Sequence, residues 1–495
     1  MHDAGTSPAP PLWRPSDLTG GAGARWLHEP SSAWNPQRVV LAHRRTPIVD
    51  DDITVLFKSF HVQKAMTDLG RGATAGCLVL DEPFLEEIGD LKDLATPILV
   101  VPDWQRWLRE LAAKSRARYR GRIMAVTGTV GKTTTRMMLV RMLREHGDVA
   151  QNQRNLNLHA MVLVRMASAR PNLDHLVLEI AIGQQDVPIG ETVAIVRPHV
   201  SILTQLGIGH VDSVDRSASS HDDLLRAVLR AKVQIFDAME PQGVAIVNAD
   251  MALADGAIAH ARGRAGRLVT YRTAPDADYR ITDWDQDADG TRVEAIAEGE
   301  RFQYAVSAVG SFIPANSLGA LAAAEAVGCD RDRSLATLAS FRTRKGRSRA
   351  SRRAYLQTPF VLLDDSFSAA PLSLESGLET LAALAKGTQG RRIAVLGDIS
   401  EEHLGAKVQQ YHDELWDVIE PFGVDVLFTI GTHMLRLHGV APVHVVARHF
   451  RDHGTLTRTL LDALEPGDVV LVKGANAMKL DRVIAGIREQ TTPVA

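Results

Sequence analysis

Ile123-Met124-Ala125-Val126-Thr127-Gly128-Thr129-Val130-Gly131-Lys132-Thr133-Thr134-Thr135 runs from an apolar segment through a glycine turn into residues that open a helix. That is the setting a phosphate-binding loop requires. Gly128 and Gly131 let backbone N–H groups turn inward, and the helix start adds unpaired donors and a favourable dipole. With Thr129 and Thr134 they form the expected nucleotide cradle. Lys132 is placed to neutralise phosphate charge, and the Thr133 hydroxyl to reach Mg2+. Val126 stands where the commonest form of such loops has its first glycine.

On both sides of this loop, apolar runs of four to six residues alternate with helical patterns. Strands are predicted at Ile123–Val126, Leu176–Ile180, His199–Leu206 and Gly243–Val247, with helices over Lys132–His146 and His221–Met239. Residues 267–307 read as short antiparallel strands added to this sheet, and Pro314–Val327 as an Ala-rich helix. Upstream, runs such as Ile53–Phe57, Cys77–Leu80 and Ile98–Val101 predict a smaller unit. Downstream of the basic stretch Arg342–Arg353, Phe360–Leu363, Arg392–Leu396, Asp425–Ile430, His444–Val446 and Asp468–Val472 predict another parallel sheet. The fold class is therefore α/β with three domains: a central phosphate-loop-type parallel sheet covered by helices, and a C-terminal Rossmann-like α/β domain. The predicted division is an irregular leader (1–35), an N-terminal substrate-binding domain (36–118), a central ATP-binding domain (119–343) and a C-terminal domain (344–495).

Composition narrows the function classes. The 495 residues are 45% hydrophobic and 23% charged, with net charge -3. Disorder and collagen are excluded. A near-balanced chain argues against non-specific nucleic-acid or membrane-surface binding, which needs a dense basic face. The two cysteines, Cys77 and Cys329, make no disulfide framework, so a cytoplasmic setting is expected. No run reaches the roughly 18 apolar residues that span a bilayer, and the first residues lack the charged-then-apolar order of a signal peptide. A monomer is the default expectation.

Further residues carry candidate chemistry. Glu179 ends the apolar run Leu176-Val177-Leu178. A carboxylate at the carboxyl edge of a parallel strand beside a phosphate loop suits Mg2+, although an isolated one also reads as a solvated edge charge. His210 lies in the glycine-rich loop after the next strand, where it suits a metal, a phosphate or plain solvent. Lys232 lies among apolar residues of a helix and, read alone, would extend its ammonium into water.

The order and spacing of these pieces resemble the Mur ligases, ATP-dependent amide ligases of peptidoglycan assembly. The similar segments are the loop Gly128–Thr135, the Asn-rich Asn155-Leu156-Asn157, Glu179, His210, Lys232, Val247-Asn248-Ala249-Asp250, Gly346-Arg347 and Asp364-Asp365. They extend in order from about residue 121 to 485. The resemblance implies that Lys132, Glu179, His210, Lys232 and Arg347 are catalytic, and that Thr133, Glu179, His210 and Lys232 hold Mg2+, with Lys232 as a carbamate. It further implies that Asn248, Arg347 and Asp365 contact ATP, and that Asn155, Asn157 and Lys473 face substrate.

Within the family, Asp364-Asp365-Ser366-Phe367-Ser368-Ala369-Ala370-Pro371 resembles the DDSYNANP segment of the subtype that joins D-alanyl-D-alanine to a UDP-muropeptide. Both asparagines of that segment are replaced, by Ser368 and Ala370, and Gly310-Ser311-Phe312-Ile313 lacks the His-Asn of the family pattern. The expected activity is formation of an amide from a small-molecule carboxylate and an amine through an acyl phosphate. The alternatives are the same chemistry on a non-muropeptide substrate, or a phosphate-loop nucleotide switch. A GTPase switch would need an Asn-Lys-x-Asp segment, and none is present.

Overall fold

The computed structural model describes residues 11–21, 23–42, 49–88, 96–152, 156–182, 187–208, 220–273, 275–399 and 407–494. Its strands form three sheets, one in each third of the chain. The first has the order β1-β5-β4-β3-β2, from Arg25–His28 (β1), Arg38–Leu41 (β2), Asp52–Leu56 (β3), Cys77–Asp81 (β4) and Ile98–Val101 (β5). Strands β2 to β5 run parallel, and β1 pairs antiparallel with β5.

The leader is a correction. Residues 11–35 include a short helix, Pro15–Thr19 (α1), and β1, and bury Leu12, Trp13 and Leu18. Trp13 donates its indole N–H to the Ala167 carbonyl at 3.0 Å, and the Arg118 guanidinium lies 3.6 Å from its ring centroid. Prolines and glycines there punctuate turns, while a few large apolar residues supply the anchorage.

The central sheet has nine strands in the order β14-β13-β12-β11-β10-β9-β6-β8-β7. These are Arg122–Thr127 (β6), Val149–Gln151 (β7), His175–Glu179 (β8), Val200–Leu203 (β9), Val244–Asn248 (β10), Arg267–Arg272 (β11), Tyr279–Asp287 (β12), Gly290–Ala297 (β13) and Glu300–Val306 (β14). Strands β6 to β11 are parallel, and β11 joins β12 in parallel, so only β12 to β14 form the antiparallel extension expected from residue 267 onward. Strand β8 is buried at every position and β6 at every position except its first residue, because helices cover both faces. Register then builds the site: Val126 pairs with Glu179 and Thr127 with Leu203, which sets the carboxyl ends of β6, β8 and β9 side by side.

The third sheet runs β19-β18-β17-β20-β16-β15-β21, from Arg349–Tyr355 (β15), Thr358–Asp365 (β16), Arg392–Gly397 (β17), Val426–Ile430 (β18), Val446–Phe450 (β19), Val469–Lys473 (β20) and Thr492–Pro493 (β21). The basic stretch Arg342–Arg353 thus ends in strand β15, antiparallel to β16. Its arginines serve the fold: Arg353 bonds the Thr491 side chain and carbonyl, and Arg352 pairs with Asp289, in the turn between β12 and β13, at 2.8 Å. Arg116 likewise pairs with Glu240 at 2.5 Å. Among the described residues no helix is long and apolar enough to cross a membrane.

Two histidines couple this architecture to pH. His199 accepts the Ile123 N–H at Nδ1 (3.0 Å), and His159 lies 2.8 Å from the Thr192 hydroxyl. Burial, with nearby arginine charge, pushes both imidazoles down to about 4. The unfolded chain takes up protons near pH 6.5. Between that pH and about 4 it therefore binds more protons than the folded protein, and stability falls as pH drops through this window. Thermal melts of His199→Asn are expected to show a weaker loss of Tm from pH 7 to 5 than the parent chain; an identical slope would remove His199 from the effect.

Candidate active site

The loop after β6 leads into helix Lys132–Leu143, with Gly131 as its N-cap and no side-chain cap, so the first-turn N–H groups face outward. Gly131 has φ 89°, and a Cβ there would lie 2.6 Å from the Asn316 Oδ1. A Cβ on Gly128 would lie 2.0 Å from the Thr204 hydroxyl oxygen, which sits 3.1 and 2.7 Å from the Thr127 and Val130 carbonyls. Thr129 closes the opposite side, its hydroxyl donating to the Gly207 carbonyl at 2.9 Å. Lys132 curls back and donates to the Gly128 and Thr129 carbonyls at 2.8 Å each. Burial lowers the pKa of its amine, opposed by Glu179 and aided by Arg347. Thr134 follows in the first turn, partly buried.

Glu179 ends β8 at 2% exposure. The Thr133 hydroxyl reaches both of its carboxylate oxygens, at 3.1 and 2.9 Å, and Asn157 donates to Oε1 at 2.7 Å. Arg136 Nε stands 3.2 Å from Oε2. Asn152 clamps the backbone: its Oδ1 accepts the Glu179 N–H at 2.9 Å, and its Nδ2 donates to the Glu179 and Leu156 carbonyls at 2.8 Å each. Asn248, at the end of β10, donates to Gln205 Oε1 at 3.0 Å and accepts the Asp250 N–H at 3.0 Å.

Lys232 ends the helix His221–Lys232 at 2% exposure, and its ammonium has no hydrogen-bond partner among the described residues. The structure replaces the solvent-reaching side chain with a buried one. Desolvation, with the Lys132 charge adding to it, holds its amine well below the ordinary lysine range.

From the third sheet, Arg347 lies over the Phe367 ring, 4.5 Å from its centroid. Burial lowers its pKa, while Glu179 and Asp365 favour its charge, which places it between the two sheets' acidic residues. Asp365 accepts the Ser348 N–H at 3.0 Å and the Lys473 ammonium at 2.5 Å. Lys473, expected to face substrate, is a correction: it is 2% exposed and donates to Asp365 and to the Ser368 carbonyl. Asn155 and His210 lie outside the described residues.

Sequence reasoning did not single out Arg136, Asn152, Thr204 or Asn316. Asn316 carried a signal. The asparagine sought at position 313 is Ile313, and Asn316 stands one helical turn on, buried against the loop with its Nδ2 unpartnered among the described residues. The cradle that only glycines fit, with an uncapped helix start and Lys132, suits a polyphosphate. Glu179 and Thr133 offer the hard-oxygen pair that Mg2+ takes alongside substrate phosphates.

A phosphate loop facing a second nucleotide-type sheet across Arg347 is the arrangement of an ATP-dependent ligase. Residues 126–324 match the Mur ligase middle domain and residues 349–476 the Mur ligase, glutamate ligase domain, and the chain belongs to the Mur ligase family of ATP-dependent, ADP-forming peptide ligases. The UDP-N-acetylmuramoyl-tripeptide–D-alanyl-D-alanine ligase of Escherichia coli is 27% identical over 86% of this chain and 88% of its own length. The ligase of the same name from Synechocystis is also 27% identical, over 83% and 84%. Among solved structures, MurF from Acinetobacter baumannii superposes with TM-score 0.80 at 20% identity, covering 96% of this chain and 99% of that one. MurF from Thermotoga maritima in complex with ADP superposes with TM-score 0.73 at 20% identity, covering 92% and 97%.

Proposed function

We propose that this ligase joins the carboxylate of a UDP-N-acetylmuramoyl-tripeptide to the amine of D-alanyl-D-alanine, the reaction that its curated relatives' names state. The observation that carries the reading is the Glu179 cluster. It brings the phosphate loop (Thr133) and the Asn-rich segment (Asn157) onto one carboxylate, so nucleotide and acid meet there. The N-terminal unit, taken as residues 36–118, holds the acid's remote end; the units 119–343 and 344–495 enclose ATP.

A carboxylate does not condense with an amine in neutral water, because it is a poor electrophile. Its oxygen attacks the γ-phosphorus of ATP, ADP leaves, and an acyl phosphate forms. The amine nitrogen then attacks the carbonyl carbon, phosphate departs with the electron pair of the broken C–O bond, and the nitrogen loses a proton. Lys132 and Arg347 hold and neutralise the transferring phosphoryl group. Thr133, Glu179, His210 and Lys232 would hold Mg2+, which would supply charge stabilisation at the phosphates. Asn248 positions the nucleoside. Burial favours Lys232 as the free amine, the form that could add CO2 and lose a proton to give an anionic carbamate suited to Mg2+. Approach of the third sheet completes the site and keeps water from the acyl phosphate.

A second reading, the same chemistry on another acid–amine pair, is favoured by Ser368 and Ala370. Ser368 lends its carbonyl to Lys473, and Ala370 caps the following helix, its N–H donating to the Ser373 hydroxyl at 2.9 Å. Neither side chain offers the amide of the D-alanyl-D-alanine-adding subtype. The test is release of ADP and phosphate with UDP-muropeptide and D-alanyl-D-alanine, with mass spectrometry of the product. Turnover requiring both substrates is expected. ATP consumption without a nitrogen–acyl product, for this pair and for other acid–amine pairs, would overturn the assignment.

A further inference from the structure

The buried arginine on the nucleotide-loop helix has no part in the chemistry above. Arg136 is fully buried, one turn after Lys132 and three residues after Thr133, so it shares the helix face that meets Glu179. Its Nε stands 3.2 Å from Glu179 Oε2. Its Nη1 donates to Gln151 Oε1 at 2.9 Å and to the Asn152 carbonyl. Asn152 is the residue that clamps the Glu179 backbone on both sides and holds the Leu156 carbonyl. One guanidinium thus ties the carboxylate's side chain to the residue that ties its backbone, at the strand end from which the Asn-rich segment departs. A lysine ammonium, a compact point charge, supplies charge at this place but not a planar group whose Nη1 bonds two acceptors while its Nε faces the carboxylate.

We infer that Arg136 is a positioning residue: through Gln151 and Asn152 it fixes the Glu179 carboxylate in the orientation that receives the metal of the nucleotide complex. The inference rests on the ligase reading of the Glu179 cluster. Groups that orient a metal ligand from behind commonly change metal affinity 10- to 100-fold when replaced. The purely structural alternative is that Arg136 serves only to neutralise a buried carboxylate, and Arg136→Lys retains that.

The experiment measures ADP binding to the full chain by calorimetry, once with Mg2+ and once with EDTA. Wild-type protein is expected to bind more tightly with Mg2+. In Arg136→Lys this enhancement is expected to drop about 10-fold, while affinity in EDTA stays within about twofold. Gln151→Leu, which leaves the arginine–carboxylate pair intact, is expected to move the enhancement the same way by a smaller factor than Arg136→Lys. An unchanged enhancement in folded Arg136→Lys, or equal losses with and without metal, overturns the role. Should Arg136→Lys not fold, an unchanged enhancement in Gln151→Leu overturns it, and failure of both to fold marks the contact as one of stability alone. A wild-type protein whose ADP affinity ignores Mg2+ would instead sink the ligase reading of the cluster.

Discussion

Replacing Lys232 by alanine is expected to lower turnover by about three orders of magnitude, with part of it returned by a short carboxylic acid in the assay. The argument starts from burial. An ammonium at 2% exposure with no described partner is an expensive state, and the neighbouring Lys132 charge makes it more so. Burial therefore favours the neutral amine, the form nucleophilic toward CO2. The carbamate proposed above would exchange a cation that repels Mg2+ for an anion that attracts it. At about 4 Å and an effective dielectric near 20, one unit of charge is worth roughly 4 kcal/mol. A thousandfold in rate is about the same energy. Alanine leaves a space into which formate or acetate brings its own carboxylate. Turnover is measured as ADP release with both substrates present; full activity in the variant would remove Lys232 from the metal site, and loss without rescue would remove the carbamate.

The parallel strands were legible because burial on both faces makes them continuous apolar runs. The nucleotide loop was legible because glycine and lysine are fixed by backbone space and charge. Residues that act through geometry across the chain were not. Asn152 and Glu179 are 27 positions apart and meet only because β7 pairs with β8 in parallel, Gln151 opposite Val177. Nothing in the local sequence sets that register. The order of the leader and the existence of strand β15 were not legible for a related reason: proline, glycine and arginine describe a segment's solubility, whereas pairing with β5 or β16 decides whether it is ordered.

Among charged residues the sequence names the type but not the partner. Lys232 and Lys473 both lie in or beside apolar runs. One emerges buried without a described partner and the other buried in an ion pair. Their consequences are opposite: a lone buried amine is reactive, and a paired one is structural. This is the distinction that a mutation at Lys473 tests.

Lys473→Met is expected to act on stability, at about 3–5 kcal/mol, because it leaves the Asp365 carboxylate buried with a single described donor, the Ser348 N–H. Against a typical domain stability of about 5–15 kcal/mol, that is a large fraction. Asp365 also anchors the turn that carries Arg347: Gly346 has φ 76° and its carbonyl accepts the Phe367 N–H at 2.9 Å, while Ser348 bonds Asp365. Loosening the carboxylate should therefore raise the KM for ATP while the KM values for acid and amine move little. A direct substrate contact by Lys473 would give the reverse, an unchanged denaturation midpoint with one substrate KM raised. Lys473→Met combined with Asp365→Asn removes both charges and should recover part of the lost stability, since an amide costs far less to bury than an unpaired carboxylate. Denaturant unfolding of the single and double variants, read beside the three KM values, separates the two roles.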